Sequence, residues 1–387
     1  MCSNPSHEFL STLFPGRRDL VIPSSRIESL DVTRALALFG VVAMNYHAYL
    51  NGILAYYPKY PSVWERLFNP ITGPLTTRFA ATFVLIAGIG VSLFTQRARE
   101  SGARADIRHL RIVLLRRGFL LYVIGYFLQW IWPGTILFFY GAYFIIAAAI
   151  FAWSSRRLIA LGVASIIIAA GISWWRASQS LDGNPTNWLS PSPNSPRNLL
   201  IRTFLDYTHP VFPWIAFFIA GIMLGRRIDQ IAILRLRLMF ASLLVMLVTH
   251  GANFLFTPSS RISDHDFILA RLLSTQPLDR GILFSLGTLA TAVVALCLVS
   301  FVVEHAPQTR LTQFFARAGR MTLTMYVLHV LFFNLIVHRL HWVGATGLDT
   351  ALVLSLSFYV VALMLASFWS KYLGLGPAER AYRTFGG

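Results

Sequence analysis

Long runs of apolar residues, separated by polar or basic segments, constrain the fold of this chain more than any other feature. Each run is close to the ~20 residues that an α-helix needs to cross the hydrocarbon core of a bilayer. Barrel strands are much shorter, so the sequence predicts an all-α, polytopic integral membrane protein with about ten transmembrane helices. The predicted helices cover residues 29–50, 75–94, 112–131, 135–153, 158–175, 208–225, 238–256, 281–303, 321–338 and 348–369.

The charges indicate how these helices are oriented. The chain is 56% hydrophobic and 13% charged, and its net charge of +17 comes almost entirely from arginine. Most of the arginines fall in segments that lie on the side of the two termini. Basic loops mark the cytoplasmic face, so we expect both termini there, in a multi-pass protein of the plasma (inner) membrane. The predicted domains are an N-terminal tail (1–28), a transmembrane domain (29–370) and a basic C-terminal tail (371–387).

Other protein classes find no support in the sequence. Without an RNA-binding or helix-turn-helix signature, the basic charge predicts no nucleic-acid partner. Cys2 and Cys297 lie too far apart to indicate a disulfide framework or a metal site. The first 28 residues lack an apolar core, and so we expect no removable signal peptide. The predicted partners are the lipid bilayer and a small molecule, and a homo-oligomer is compatible with the sequence.

The first predicted helix carries polar groups at both ends. Asp31 and Arg34 lie three residues apart, so they share a helix face and can form an ion pair that braces helix one at the membrane edge. Asn45 and His47 lie in its last turns, near the opposite surface. Polar groups at such positions are costly unless they are satisfied or used. We therefore expect the other helices to form a cage around this end.

Histidines on three further helices are candidates for the same site. His209, His250 and His329 lie in the middle-to-outer half of their predicted helices, as His47 does. A neutral imidazole is a good general base near pH 7 and a common metal ligand. Each of them is equally well explained as a satisfied histidine between helices. The spacings contain no HExxH or similar zinc signature, and so we predict no metal site.

Arg78 and Tyr140 are further candidates for substrate binding. Arg78 begins the second predicted helix, where it can bind an anionic group or simply extend its charge to the membrane surface. Tyr140 lies in an otherwise apolar stretch, where packing is the alternative. The basic segment from Arg97 to Arg117 either determines topology or binds the phosphates of a cytoplasmic coenzyme. The chain has no Walker loop and no GxSxG motif, which argues against a nucleotide-driven pump and a serine hydrolase.

Five stretches, taken in chain order, resemble one family of membrane proteins. LDVTRALALFGVVAMN is similar to the LDxxRGxALxGILxxN opening of the YeiB-like proteins, a domain of unknown function. Similar counterparts of that family's segments follow along almost the whole chain: RFAATFVLIAGIGVSLF, HPVFPWIAFFIAGIMLGR, GRMTLTMYVLHVLFF and GLGPAERAYRTFGG. The Asn and Gln of the family's ninth helix are Met325 and His329 here.

The opening helix also resembles the transmembrane acyltransferase group that includes heparan-α-glucosaminide N-acetyltransferase. In that enzyme, a helix with the sequence LRGFAL ends in an asparagine, and Asn45 occupies the corresponding position here. The catalytic histidine of that enzyme follows in the next loop. This sequence has no histidine in that loop, and His47 is the nearest one.

The resemblance implies a membrane-embedded acyltransferase. It would move an acyl group, most simply acetyl, from cytoplasmic acetyl-CoA or another acyl-CoA to a sugar or lipid-linked acceptor at the outer face. In this hypothesis His47 deprotonates the acceptor, and Asn45 donates a hydrogen bond to the developing oxyanion. The residues expected to contact substrate are Arg78, Tyr140, His209 and His329.

Two alternatives remain open on the sequence alone. A transporter or exporter of a small polar or anionic solute would use the same histidines and Arg78 to line a path. No carboxylate lies in the middle of a predicted helix, which argues against a proton-coupled carrier built on buried Asp or Glu. A membrane scaffold without a small-molecule site is the third possibility.

Overall fold

The computed structural model describes residues 24–51, 62–70, 73–184, 196–256, 263–307, 309–344 and 348–387. Within these ranges the chain forms α-helices, short 3₁₀ and π segments and turns, with no β-strand. The all-α class predicted from the sequence is therefore confirmed. Cys2 and most of the predicted N-terminal tail lie outside the described residues.

Sixteen α-helices form the described part of the chain. They are α1 (Ser24–Asn51), α2 (Val63–Leu67), α3 (Arg78–Phe94), α4 (Gln96–Ser101), α5 (Arg104–Leu128), α6 (Leu137–Ile150), α7 (Ser155–Leu181), α8 (Pro196–Phe204), α9 (Val211–Gly225), α10 (Ile231–Phe256), α11 (Asp264–Leu272), α12 (Ile282–His305), α13 (Arg310–Gly319), α14 (Thr322–Phe333), α15 (Leu348–Tyr372) and α16 (Pro377–Gly386). A 3₁₀ turn, Ile228–Gln230, precedes α10, and a π-helix, Asn334–Arg339, continues α14.

Several helices have the length and apolar character of membrane spans. Among the described residues, five meet both conditions: Ser155–Leu181, Ile228–Phe256, Ile282–His305, Thr322–Arg339 and Asp349–Tyr372. Three shorter helices, α3, α6 and α9, are also apolar. These helices indicate a multi-pass membrane protein. Each of the ten predicted segments is helical, while ten spans and cytoplasmic termini stay predictions.

The segments predicted as loops contain additional short helices. Of these, α2 lies in the segment 51–73, α8 in 176–207 and α11 in 258–279. These helices contain too few apolar residues to resemble a membrane-spanning segment in the sequence. Local capping nonetheless forms the first turn of α11, where the Ser263 side chain accepts a hydrogen bond from the Asp266 amide at 3.2 Å.

Helix α1 lies among five other helices: α3, α12, α13, α14 and α15. Its contacts define the two ends of the bundle. At the Asp31 end, the backbone of Asp31 touches Gly319 at the close of α13. At the Asn45 end, Tyr49 stacks on Trp132, with 3.8 Å between ring centroids. The long helices alternate in direction between these ends, which places α16 at the Asp31 end with the start of α1.

Close backbone contact between α3 and α9 depends on glycine. A side chain on Gly88 would collide with the carbonyl of Phe218, and one on Gly221 would collide with the carbonyl of Leu85. Glycine at both positions is therefore required for the two backbones to approach this closely. Small residues allow helices in a membrane to approach closely and to gain van der Waals contact.

Gly88→Val tests this packing. We expect a destabilisation of about 1–3 kcal/mol, because the added atoms must push α9 away from α3. Gly171→Val is the matched control, since a side chain on Gly171 in α7 meets open space. The measurement is thermal unfolding in detergent. Equal unfolding midpoints for both variants would contradict this account.

The C-terminal helix α16 is attached to the beginning of α14. The Glu379 carboxylate accepts hydrogen bonds from the backbone amides of Leu323 (2.7 Å) and Thr324 (3.1 Å) and from the Thr324 hydroxyl (2.5 Å). The first amides of a helix have no partner within the helix and carry partial positive charge. Glu379 therefore caps α14 from another part of the chain.

Glu379→Ala removes this cap. We expect a loss of about 1–2 kcal/mol, comparable to other helix caps, and a midpoint of thermal unfolding lower by roughly 2–8 °C. Glu100→Ala is the control, because Glu100 is exposed and its hydrogen bond is to the neighbouring Gln96. A variant at Glu379 that unfolds at the wild-type temperature would show that the cap contributes nothing.

Candidate functional site

Asn45 and His329 meet at the Asn45 end of the bundle. The Asn45 side-chain amide (Nδ2) lies 3.4 Å from His329 Nε2, although 284 residues separate them in the chain. The next residue of α1 secures the contact, because the Tyr46 hydroxyl donates to the His329 carbonyl at 2.9 Å. Two consecutive residues of α1 thus hold one residue of α14.

The hydrogen bonds of His329 define its tautomer. Its Nδ1 faces the carbonyl of Tyr326, which only accepts, so Nδ1 carries the proton. Nε2 then presents its lone pair toward the Asn45 amide. An imidazole in this state is oriented as a base, and the amide beside it is oriented as a donor.

Aromatic side chains enclose His329, which is fully buried. The centroid of its ring lies 4.7 Å from that of Tyr326, 5.4 Å from that of Trp132 and 6.0 Å from that of Tyr46. We call this group, together with Tyr49 and Phe333, the His329 chamber. Rings of this kind exclude water and lower the local dielectric, which strengthens the electrostatic interactions of the groups inside.

Hydrogen bonds attach the turn between α5 and α6 to the same chamber. The Tyr326 hydroxyl donates to Thr135 Oγ1 at 3.2 Å and accepts from the Ile136 amide at 2.9 Å. The Tyr49 hydroxyl accepts from the Gly134 amide. This turn is the WPG sequence that the apolar pattern identified as a break between helices. Its position over the chamber follows only from the tertiary structure.

His47 lies in a different environment from Asn45. Residues two apart on a helix do not face each other. The His47 ring stacks on Phe68 at 5.3 Å, and its Nδ1 donates to the Ala43 carbonyl at 2.6 Å. The two residues that the sequence analysis grouped as base and oxyanion donor therefore have separate neighbours, and Asn45 contacts His329.

His209, Tyr140 and Tyr143 form a second polar group. The Tyr143 hydroxyl donates to the His209 carbonyl at 2.6 Å, and the Tyr140 and Tyr143 rings are 5.9 Å apart. The His209 ring lies edge-on to Trp214 at 4.5 Å. Tyr140 Oη and His209 Nδ1 are buried without a hydrogen-bond partner among the described residues. These two atoms are available to a substrate.

Arg78 is buried at the start of α3, with 7% of its surface exposed. Its Nε lies 3.4 Å from the Pro74 carbonyl, and its guanidinium lies 5.9 Å from the centre of the Phe284 ring. Its Nη1 has no hydrogen-bond partner within the described part of the chain. This arginine thus retains hydrogen-bonding capacity for an anion.

His250, in contrast, is exposed on α10.

The Asp31 end of the bundle is cationic. Arg34 donates to Asp31 at 2.8 Å, which is the ion pair expected from their spacing. Arg117 lies between the rings of Phe94 and Tyr382, at 4.5 and 5.2 Å from their centroids. Stacked guanidinium groups of this kind are pre-organised to bind phosphate.

Two more arginines increase the positive charge of this end. Burial lowers the pKa of the Arg226 guanidinium, and the nearby charge of Arg99 lowers this pKa further. Both side chains donate to backbone carbonyls, of Ser92 for Arg99 and of Phe151 and Trp153 for Arg226. These carbonyl partners add no negative charge, although the Glu100 carboxylate interacts electrostatically with Arg99. Within the described residues, no three His, Cys, Asp or Glu side chains come together as a metal site.

The structure also contains polar groups that the sequence analysis did not select. Asp206 accepts hydrogen bonds from both Arg280 (2.8 Å) and Arg176 (3.1 Å) in a largely buried ion cluster. Arg202, on α8, donates to the Gln129 side chain at 2.7 Å. These residues lie in or next to segments predicted as polar loops. The arginines in those segments were the only sequence feature that pointed to these buried groups. Charged residues in loops are normally solvated, so nothing in the sequence indicated their burial.

Two known protein families match the chain. The family described as heparan-alpha-glucosaminide N-acetyltransferase, catalytic, matches residues 26–257, which is more than half of the chain. The chain belongs to this family. A family described as protein of unknown function (DUF418) matches residues 233–386. The resemblance to the YeiB-like proteins related to the acetyltransferase group is thereby confirmed. A comparison with curated proteins finds no match.

The candidate site combines residues from both matched segments. Asn45, His47, Arg78, Tyr140 and His209 lie within the N-acetyltransferase match, whereas His329 lies within the DUF418 match. The N-acetyltransferase family thus includes the helix that carries Asn45. The imidazole that faces Asn45 comes from the segment whose family has no assigned function.

Proposed function

We propose that this protein is a membrane-embedded acetyltransferase whose reacting groups are Asn45 and His329. The observation that supports it is the approach of the Asn45 amide to His329 Nε2 inside a closed aromatic chamber. A base and a hydrogen-bond donor held together on two packed helices are what acyl transfer requires. Membership of the N-acetyltransferase family supports the same reaction class.

Acetyl transfer would proceed by attack of the acceptor on the thioester, followed by loss of the CoA thiol. The acceptor hydroxyl or amine gives its proton to His329 Nε2 while its oxygen or nitrogen attacks the thioester carbonyl of acetyl-CoA. Asn45 donates to the oxygen that becomes negative, an interaction worth roughly 100- to 1,000-fold in rate. The carbon–sulfur bond then breaks, the imidazolium returns the proton to the leaving thiolate, and acetylated acceptor and CoA thiol result.

The cationic Asp31 end is suited to the donor. Acetyl-CoA carries several phosphate charges, which positively charged side chains at this end would attract. Arg117 stacks on the Phe94 ring, and among the described residues Arg99 and Arg226 donate to backbone carbonyls. Basic loops on this side agree with a cytoplasmic location. In the proposal, the donor enters from the cytoplasm and its acetyl group reaches the His329 chamber through the bundle.

The remaining candidate residues would serve binding and support. Arg78 Nη1, Tyr140 Oη and His209 Nδ1 are buried atoms with unused hydrogen-bonding capacity, which a polar acceptor would satisfy. The Asp31–Arg34 pair would brace α1, since it fixes one end of the helix whose other end carries Asn45. The acceptor would be a sugar or a lipid-linked molecule that approaches from the outer face.

Substitutions at three positions test the proposal. In nanodiscs, we expect His329→Gln to lower the turnover of acetyl-CoA roughly 100- to 10,000-fold, because glutamine keeps a polar group but removes the base. Asn45→Ala should lower turnover roughly 100- to 1,000-fold. His47→Ala should change it little. The readouts are release of CoA thiol and, separately, the dissociation constant for acetyl-CoA, which His329→Gln should leave unchanged.

His305→Gln is the matched control, since His305 is an exposed histidine at the opposite end of the bundle. If His47→Ala loses turnover while His329→Gln stays active, the general base is His47 and the role proposed for His329 is wrong. A wild-type protein that does not bind acetyl-CoA would overturn the proposed donor. Flux of small anionic solutes into proteoliposomes would then test the transporter alternative.

A further inference from the structure

Arg202 is a buried cation that has no carboxylate partner among the residues that the structure describes. Only 2% of its surface is exposed. Its Nη2 donates to the Gln129 side-chain oxygen at 2.7 Å, and its guanidinium lies 4.1 Å from the centre of the Tyr207 ring. Its Nε and Nη1 are buried and make no hydrogen bond within the described part of the chain.

Two of the other three buried arginines in the described part of the chain are neutralised, and Arg78 is the exception. Arg280 donates to Asp206 at 2.8 Å, and Arg235 forms an ion pair with Glu304. A buried charge is costly unless it is both paired and hydrogen-bonded. Arg202 has a neutral amide and an aromatic face in place of a carboxylate. Within the described part of the chain, Arg202 therefore retains an uncompensated charge and two unused donors.

The neighbouring groups strengthen this requirement. Gln129 uses its oxygen to accept from Arg202, and its Nε2 amide is also buried without a partner among the described residues. The unused atoms of this pair are all hydrogen-bond donors. A set that contains donors and a positive charge matches an oxyanion, whose oxygens only accept.

Arg202 is connected to the His329 chamber through Gln129. Gln129 precedes Trp132 by three residues, and the Trp132 ring packs edge-on against His329 at 5.4 Å. On the other side, Tyr207 stacks on Phe139 at 6.2 Å, and Phe139 contacts the His209 ring at 5.8 Å. An acceptor bound among these aromatic residues would need to extend a second group towards Arg202.

We propose that Arg202, assisted by Gln129, binds an oxyanion of the acceptor (a carboxylate, sulfate or phosphate) and thereby determines acceptor specificity. This inference rests on the acetyl-transfer function proposed above, because it takes the molecule in the chamber to be the acceptor. Arg202 touches a part of the acceptor that does not react. Its guanidinium fork suits two oxygens of one anionic group.

The experiment compares soluble sugar probes that differ in charge. Methyl glucoside is the neutral probe, and methyl glucuronide, glucose 6-phosphate and N-acetylglucosamine 6-sulfate carry the three oxyanions. Binding to the full-length protein in nanodiscs is measured by calorimetry at low and moderate salt. We expect the wild type to bind at least one anionic probe about tenfold or more tighter than the neutral one, as a charge-assisted bidentate contact provides.

The variants assign this preference to Arg202. Arg202→Gln should reduce binding of the anionic probe to that of methyl glucoside, and Arg202→Lys should retain part of the preference because it keeps the charge but loses the fork. Arg339→Gln is the control for net charge, since Arg339 is exposed at the end of the π-helix. If Arg202→Gln does not fold, Arg202→Lys and the wild-type preference still test the inference.

The outcomes separate this inference from the acetyl-transfer proposal. A wild type without charge preference, including one that binds no probe, overturns the role of Arg202, as does a preference that persists in Arg202→Gln. Acetyl-CoA turnover is measured in parallel. If the wild type prefers anionic probes but does not turn over acetyl-CoA, the acetyl-transfer proposal fails and the anion site stands. If it turns over acetyl-CoA without preferring anionic probes, the anion site fails and the acetyl-transfer proposal stands.

Discussion

The contact between α1 and α14 determines the arrangement of the whole candidate site. The Tyr46 hydroxyl binds the His329 carbonyl at 2.9 Å, and the Asn45 amide faces Nε2 of the same residue. Inside a membrane protein an unsatisfied polar group is costly, so these hydrogen bonds fix the axial position of one helix relative to the other. The aromatic rings surround His329 only when α1 and α14 have this axial position relative to each other.

Two polar ends of the bundle are connected through α1. At its Asp31 end, Arg117 stacks on two aromatic rings and Arg226 donates to backbone carbonyls. At its Asn45 end, aromatic rings enclose an imidazole and an amide, and unused donors and acceptors lie around them. A donor that binds at one end and an acceptor that binds at the other would meet along this helix. The division of the chain between two family matches follows the same arrangement, because Asn45 lies in one match and His329 lies in the other.

The sequence was sufficient to predict features that depend on local spacing. Hydropathy predicted ten helical segments, and the three-residue spacing predicted the Asp31–Arg34 pair. It could not reveal that Asn45 faces His329, since 284 residues separate them. Arg202 was missed for a related reason: a charged residue in a segment rich in proline and asparagine resembles a solvated loop residue until the fold buries it.

The most direct test of the central claim is a double-mutant cycle on kcat/KM for acetyl transfer with Asn45→Ala and His329→Gln. Groups that act as one unit have strongly non-additive effects. We predict that the double variant is about as impaired as the worse single variant, so that each substitution costs little once the other is present. Multiplication of the two single effects would contradict the account, because it would show that Asn45 and His329 act independently.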